Sequence, residues 1–177
     1  MPSVARFSVI AASAALAAAC AHTGSQEPAK AGEQGVAPVN ASVTITEDGA
    51  GGYAFAYDAP YFDKKGNFNF SLPGALHNRI VLTFTIADGS AQGVRFKTDA
   101  RDAIWIVEKA NVDPATGSPS GPYRGDQFFG FEVSKDGRRL TLTDENNDGV
   151  LYRYGLRFDL GGETVFDDPD GQNGGHR

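Results

Sequence analysis

From about residue 41 onward, apolar and polar side chains alternate with a period of two. Val43 and Ile45 alternate with threonines, and Tyr53, Phe55 and Tyr57 alternate with Ala54 and Ala56. Phe68, Phe70 and Leu72 alternate with Asn67, Asn69 and Ser71. Ile80, Leu82, Phe84 and Ile86 repeat the pattern, followed by Val94 and Phe96, by Phe129, Phe131 and Val133, and by Leu140 and Leu142. The longest run is Val150, Tyr152, Tyr154, Leu156, Phe158 and Leu160. Successive side chains of a strand point to opposite faces, so this period predicts half-buried strands. Lys135-Asp136-Gly137, the stretch from Asp144 to Gly149, and Gly161-Gly162 separate the last four strands at hairpin spacings.

One segment carries two signals. Ala100, Ala103, Ile104, Val107 and Ala110 fall at helical spacing, but Ile104-Trp105-Ile106-Val107 is a compact β-branched and aromatic run. That run suits a buried strand, with a helical turn just ahead of it. About ten short strands without a long helix predict an antiparallel β-sandwich of immunoglobulin-like type, with a small β-barrel as the alternative. Residues 20–40 lack apolar periodicity and are rich in Ala, Gly, Pro, Gln and Glu, the composition of a flexible tether. The expected organisation is a targeting segment over 1–19, the tether over 20–40, the sandwich over 41–168 and a mobile tail over 169–177.

The first residues supply an address. Arg6 precedes an apolar stretch from Phe7 to Leu16 and the small residues Ala17-Ala18-Ala19, the pattern of a secretory signal peptide. The stretch is shorter than the roughly 20 apolar residues a membrane-spanning helix needs. Leu16-Ala17-Ala18-Ala19-Cys20 resembles the lipobox of bacterial lipoproteins, with its large aliphatic residue one step early. The resemblance implies cleavage before Cys20 and lipid on that thiol, which makes a membrane the partner of the N-terminus. It places the chain in the bacterial cell envelope, and Ala21 in place of an aspartate implies the outer membrane, facing the periplasm. Cys20 is the only cysteine, so no disulfide can form within the chain.

Charge and chemistry narrow the function. A net charge of −6 without a Lys/Arg run argues against nucleic-acid binding, which rests on a positive surface. His22, His77 and His176 are the only histidines and show no nucleophile, base or zinc-ligand spacing. A blue-copper centre would need a cysteine thiolate. The chain is therefore expected to be non-enzymatic, a binding or interaction module, with an envelope hydrolase using carboxylates such as Asp58 and Asp63 as one alternative. A purely structural lipoprotein is the other.

Two candidate sites remain. In Asp144-Glu145-Asn146-Asn147-Asp148-Gly149, oxygen ligands at alternate positions before a glycine match the opening half of a calcium loop. The twelfth position is Gly155 instead of a bidentate Glu, and the same residues also suit an ordinary turn. Calcium at Asp144, Asn146 and Asp148 is thus the single cofactor candidate, with Asp167, Asp168 and Asp170 placed either to complete its shell or to pair with Arg153 and Arg157. The second site is the strandless stretch from Lys109 to Gln127, where Tyr123 and Arg124, with Trp105 upstream, could form an aromatic platform for a carbohydrate. The protein or carbohydrate partner is left open. Leu140-Thr141-Leu142-Thr143-Asp144, Asn146, Asp148-Gly149, Tyr152-Arg153-Tyr154 and Asp168-Pro169 resemble small bacterial immunoglobulin-like sandwich proteins, including the DP-EP family. That resemblance implies the fold and no activity.

Overall fold

The computed structural model describes residues 35–72 and 79–175. The targeting segment, Cys20, the tether up to residue 34, His77 and His176 lie outside the described residues. Eleven strands follow in chain order: β1 (Val36–Glu47), β2 (Tyr53–Asp58), β3 (Phe68–Asn69), β4 (Arg79–Ile86), β5 (Arg95–Phe96), β6 (Ile104–Glu108), β7 (Phe128–Val133), β8 (Arg139–Asp144), β9 (Leu151–Leu160), β10 (Glu163–Asp167) and β11 (Asp170–Gln172). A single helical turn, α1 (Ala100–Ala103), leads directly into β6, as the two-signal segment predicts. Asp99 caps it by accepting from the Arg101 N–H. Among the described residues no helix is long and apolar enough to cross a membrane.

The strands form two sheets that face one another as a β-sandwich and do not close into a barrel. The first has the order β2-β1-β4-β8-β7. In the second, β9 is the spine: β10 and β11 pair with one edge, β5 and β6 with the other, and β3 lies beyond β11. The inner faces carry the predicted alternation, with Val39, Ala41, Val43 and Ile45 from β1, Ile80, Leu82, Phe84 and Ile86 from β4, and Tyr152, Tyr154, Leu156 and Phe158 from β9 buried in one core. Aromatic pairs cross between the sheets: Phe84 meets Tyr154 at 5.8 Å and Phe55 stacks on Phe158 at 6.0 Å.

Five expectations need correction. Pairing is not wholly antiparallel: β1 runs parallel to β4, and β11 parallel to β3, because the chain leaves the first sheet for β3 before returning as β4. The sandwich begins before residue 41, since β1 starts at Val36 and buries Val39. Pro38 disguised that start, yet it sits where β1 has β4 on one side only, the kind of open edge a residue without an N–H tolerates. The described part of the tail, up to residue 175, is not loose: β11 lies between β9 and β3, and Asn173 is fully buried. In β7 the buried residue is Phe128, while Phe129 is exposed, because the pairing with β8 slips between Phe129 and Glu132. Gly130, at φ +64, supplies the left-handed backbone of that bulge. Finally, Asp144 to Gly149 is not a hairpin, for β8 belongs to one sheet and β9 to the other. The loop carries the chain across the end of the sandwich.

Candidate functional site

The outward face of the second sheet holds a cleft. On β9, Arg153, Gly155, Arg157 and Asp159 alternate with the buried Tyr154, Leu156 and Phe158, so Gly155 points away from the core. Trp105 of β6 is its partner on one side, and Phe166 of β10 pairs with Arg157 on the other. A Cβ at Gly155 would meet nothing closer than the Asp167 carbonyl at 3.7 Å. The missing side chain leaves a depression of about 210 Å³, walled by Trp105 and Phe166 and rimmed by Thr116, Ser118, Arg157 and Asp168. That is below the roughly 300 Å³ at which pockets for drug-sized ligands begin, and it suits a single ring.

The walls are held firmly. The Arg157 guanidinium lies over the Trp105 ring, 3.7 Å from its centroid. Asp102, at α1, ties both together by pairing with Arg157 and accepting from Trp105 Nε1 at 3.1 Å. Ser118 donates to Asp168, which fastens the long loop to the cleft rim. Phe166 is the unfastened element, 59% exposed.

Tyr123 and Arg124 do not join Trp105. They line a separate depression with Val107, Glu108 and Asn111. The Tyr123 ring packs edge-on against Phe128 at 5.1 Å, and its hydroxyl accepts from the Gln127 N–H at 3.0 Å. Burial pushes its phenol above the ordinary tyrosine range. Tyr123 therefore pins the end of the 109–127 loop to the sandwich, and Arg124 is exposed.

The second constellation lies at the end of the sandwich. Period two along β8 turns Leu140, Leu142 and Asp144 toward the core, so a carboxylate continues an apolar row. Asp144 is fully buried. Its Oδ1 accepts from the Asn146 N–H at 2.8 Å, from Gln127 Nε2 at 3.0 Å and from Asn173 Nδ2 at 3.1 Å. The Asn173 amide nitrogen also reaches Asp148 Oδ1 at 3.3 Å, while Asp148 Oδ2 accepts from the Tyr152 hydroxyl at 2.6 Å. Asn146, itself in the left-handed region at φ 50, accepts from the Gly174 N–H at 2.6 Å. Burial pushes the Asp144 carboxyl up to about 7, outweighing the Asn146 N–H and Gln127 that hold it down; the charge of Asp148 adds to the rise. Asp144, Asn146 and Asp148 are thus brought together as the spacing predicts. Asp168 and Asp170 instead pair with Arg153, and Asp167 accepts from the Tyr57 hydroxyl at 2.8 Å. Arg157 pairs with Asp102 instead of with that acidic segment.

Asp58 and Asp63 have structural partners. Asp58 is exposed and 3.4 Å from Lys64. Asp63 closes a turn by accepting from the N–H groups of Lys65 and Asn67 and from the Asn67 side chain, contacts that hold its carboxyl below the usual range.

No protein-family model matches the chain, and no curated protein shows detectable similarity to it.

Residue patterns missed several members of both sites. Gly155 and Phe166 are legible as neighbours only once the β9–β10 and β6–β9 registers are known. Asn173 lay in a segment whose Gly- and Asp-rich composition read as loose. The inward position of Asp144 was available, because Leu140 and Leu142 set its face.

Proposed function

We propose that this chain is a non-enzymatic binding module of the bacterial envelope, tethered through lipid on Cys20, whose outer cleft takes one ring of a carbohydrate. The observation that carries this reading is the glycine floor between Trp105 and Phe166. A sugar ring has an apolar C–H face and a polar rim. An aromatic wall accepts the first, and a fixed guanidinium, carboxylate and hydroxyl meet the second. Asp102 holds Trp105 and Arg157 in place before any ligand arrives, so little side-chain freedom remains to be lost on binding. The lipid tether, read from the lipobox-like segment, would hold such a cleft against envelope glycans.

Trp105 is the only tryptophan, so its fluorescence reports this cleft and nothing else. Titration with soluble fragments of envelope glycans should shift its emission saturably. Phe166→Ala should weaken binding about tenfold, the loss of one exposed aromatic contact of roughly 1.4 kcal/mol. Gly155→Leu should abolish binding by filling the cleft, while the fold is kept because its Cβ makes only an ordinary contact with the Asp167 carbonyl at 3.7 Å. Unchanged emission across sugars of every envelope class, or full binding by Gly155→Leu, would overturn the assignment.

A further inference from the structure

Asp144 and Asn173, two fully buried side chains in hydrogen-bond contact, each carry an oxygen atom that accepts no hydrogen bond. One is Asp144 Oδ2 and the other is Asn173 Oδ1. Their residues already touch through Asn173 Nδ2 and Asp144 Oδ1, a contact that also fixes which way the Asn173 amide faces. Turning that amide over would set its oxygen against the oxygens of both carboxylates, so the orphaned carbonyl cannot be relieved by a flip. Two buried acceptors without a donor carry an appreciable cost, roughly 1–3 kcal/mol for each group and more for a charged one. What satisfies a pair of acceptors is a positive centre.

Charge points the same way. Asp144 and Asp148 form no ion pair among the described residues, while their neighbour Glu145 is matched by Arg79 at 2.7 Å. Two acidic side chains converge on one amide, and neither has a cationic partner among the described residues. Asp148 is exposed, which leaves an approach from solvent to an otherwise buried group. Only two of the side chains here are carboxylates, and no cluster of three His, Cys, Asp or Glu forms among the described residues. The donors are hard oxygens from carboxylate and amide.

From the orphaned oxygens and the uncompensated charge we infer that Asp144, Asp148 and Asn173, with Asn146 beside them, form a binding site for a calcium-class divalent cation that locks the C-terminal segment onto the β8–β9 loop. The set differs from the linear loop reading, because a residue 29 positions beyond Asp144 supplies one of the free oxygens. Calcium accepts irregular shells of carboxylate and amide oxygens, whereas magnesium demands near-ideal octahedral geometry and keeps most of its waters, which a buried pair of oxygens cannot accommodate. The cation would neutralise Asp144 and Asp148 and tie residues 144–148 to Asn173, closing one end of the sandwich.

The test uses the full chain, stripped of divalent ions by a chelator, with calcium chloride as titrant. At a hundredfold excess over its dissociation constant, calcium should raise the melting temperature by roughly 5–10 °C, with magnesium giving less. Terbium in place of calcium should luminesce when tyrosine is excited, because the Tyr152 hydroxyl sits on Asp148. Asp144→Asn and Asn173→Ala should each remove both responses, and Asn173→Ala serves if the first variant does not fold. Absence of both responses in the unaltered chain overturns the site. So does a calcium response that survives in either folded variant. A chain stabilised by acid but not by calcium would assign the gap to a proton and equally refute the proposal. The readouts do not involve the Trp105 cleft, so their failure leaves the carbohydrate reading standing.

Discussion

At the scale of single residues, carboxylates set how this fold responds to acidity. Asp167 is half-buried beneath the Tyr57 hydroxyl, and burial raises its carboxyl above the ordinary range, the Tyr57 hydrogen bond only partly opposing this. A carboxyl raised on folding favours the folded state fully while it is protonated in both states, below its unfolded value of about 4. That contribution is lost as pH rises through the folded value. Asp167→Asn keeps an oxygen for Tyr57 but cannot ionise. Melting curves taken from pH 4 upward should therefore show the variant losing less stability than the parent chain. Parallel curves for the two proteins would mean that Asp167 pays no desolvation penalty. Asp63 works in the opposite sense: the Asn67 side chain and nearby N–H groups lower it, so its contribution holds above its unfolded value and fades as pH falls through its folded one.

At the scale of elements, β11 is the instructive case. It packs Gly171 so tightly against Phe68 that a Cβ there would lie 2.2 Å from the ring. Gly171→Ala should cost about 1–3 kcal/mol, the usual penalty of overpacking, read as a lower urea midpoint with the slope unchanged. A mobile tail would tolerate the same change without effect. The long strands were legible in the sequence because each repeats its period enough times to fix a face; β4 buries its four predicted residues, and β9 buries Tyr152, Tyr154, Leu156 and Phe158, with Val150 and Leu160 at the ends only half-buried. Short strands carry no such signal. The three residues of β11 and the two of β3 owe their state to partners far along the chain, and composition alone pointed the other way for 170–173. Phase was lost at Gly130 for a similar reason, since a bulge changes which residues face inward without altering local hydrophobicity. The sites followed the same rule. Asp144, Asn146 and Asp148 share one loop and were readable together. Trp105, Gly155 and Phe166 meet only through strand register, and the platform drawn with Tyr123 and Arg124 joined residues that line different depressions.

At the scale of the whole molecule, the two proposed sites occupy different parts of one sandwich, and the long 109–127 loop reaches both. Its Ser118 borders the cleft, while its last residue, Gln127, donates to Asp144. Anchorage concerns the chain as a unit. Cys20→Ala should move the protein from the membrane to the soluble fraction without altering its melting temperature, as judged by fractionation of cells expressing it. A membrane pool of unchanged size would sink the lipid reading.

The parallel pairing of β1 with β4 has a mechanical meaning. The chain enters the sandwich at Val36, and β1 is matched to β4 from Val36↔Arg79 to Val43↔Ile86 and to β2 from Ser42↔Asp58 to Glu47↔Tyr53. A load arriving through an N-terminal anchor pulls β1 along its own axis. The rungs on both sides then share that load in shear, and none can be peeled open ahead of the others. A tethered module that grips a fixed glycan would in this way carry tension through a strand that is paired along its whole length.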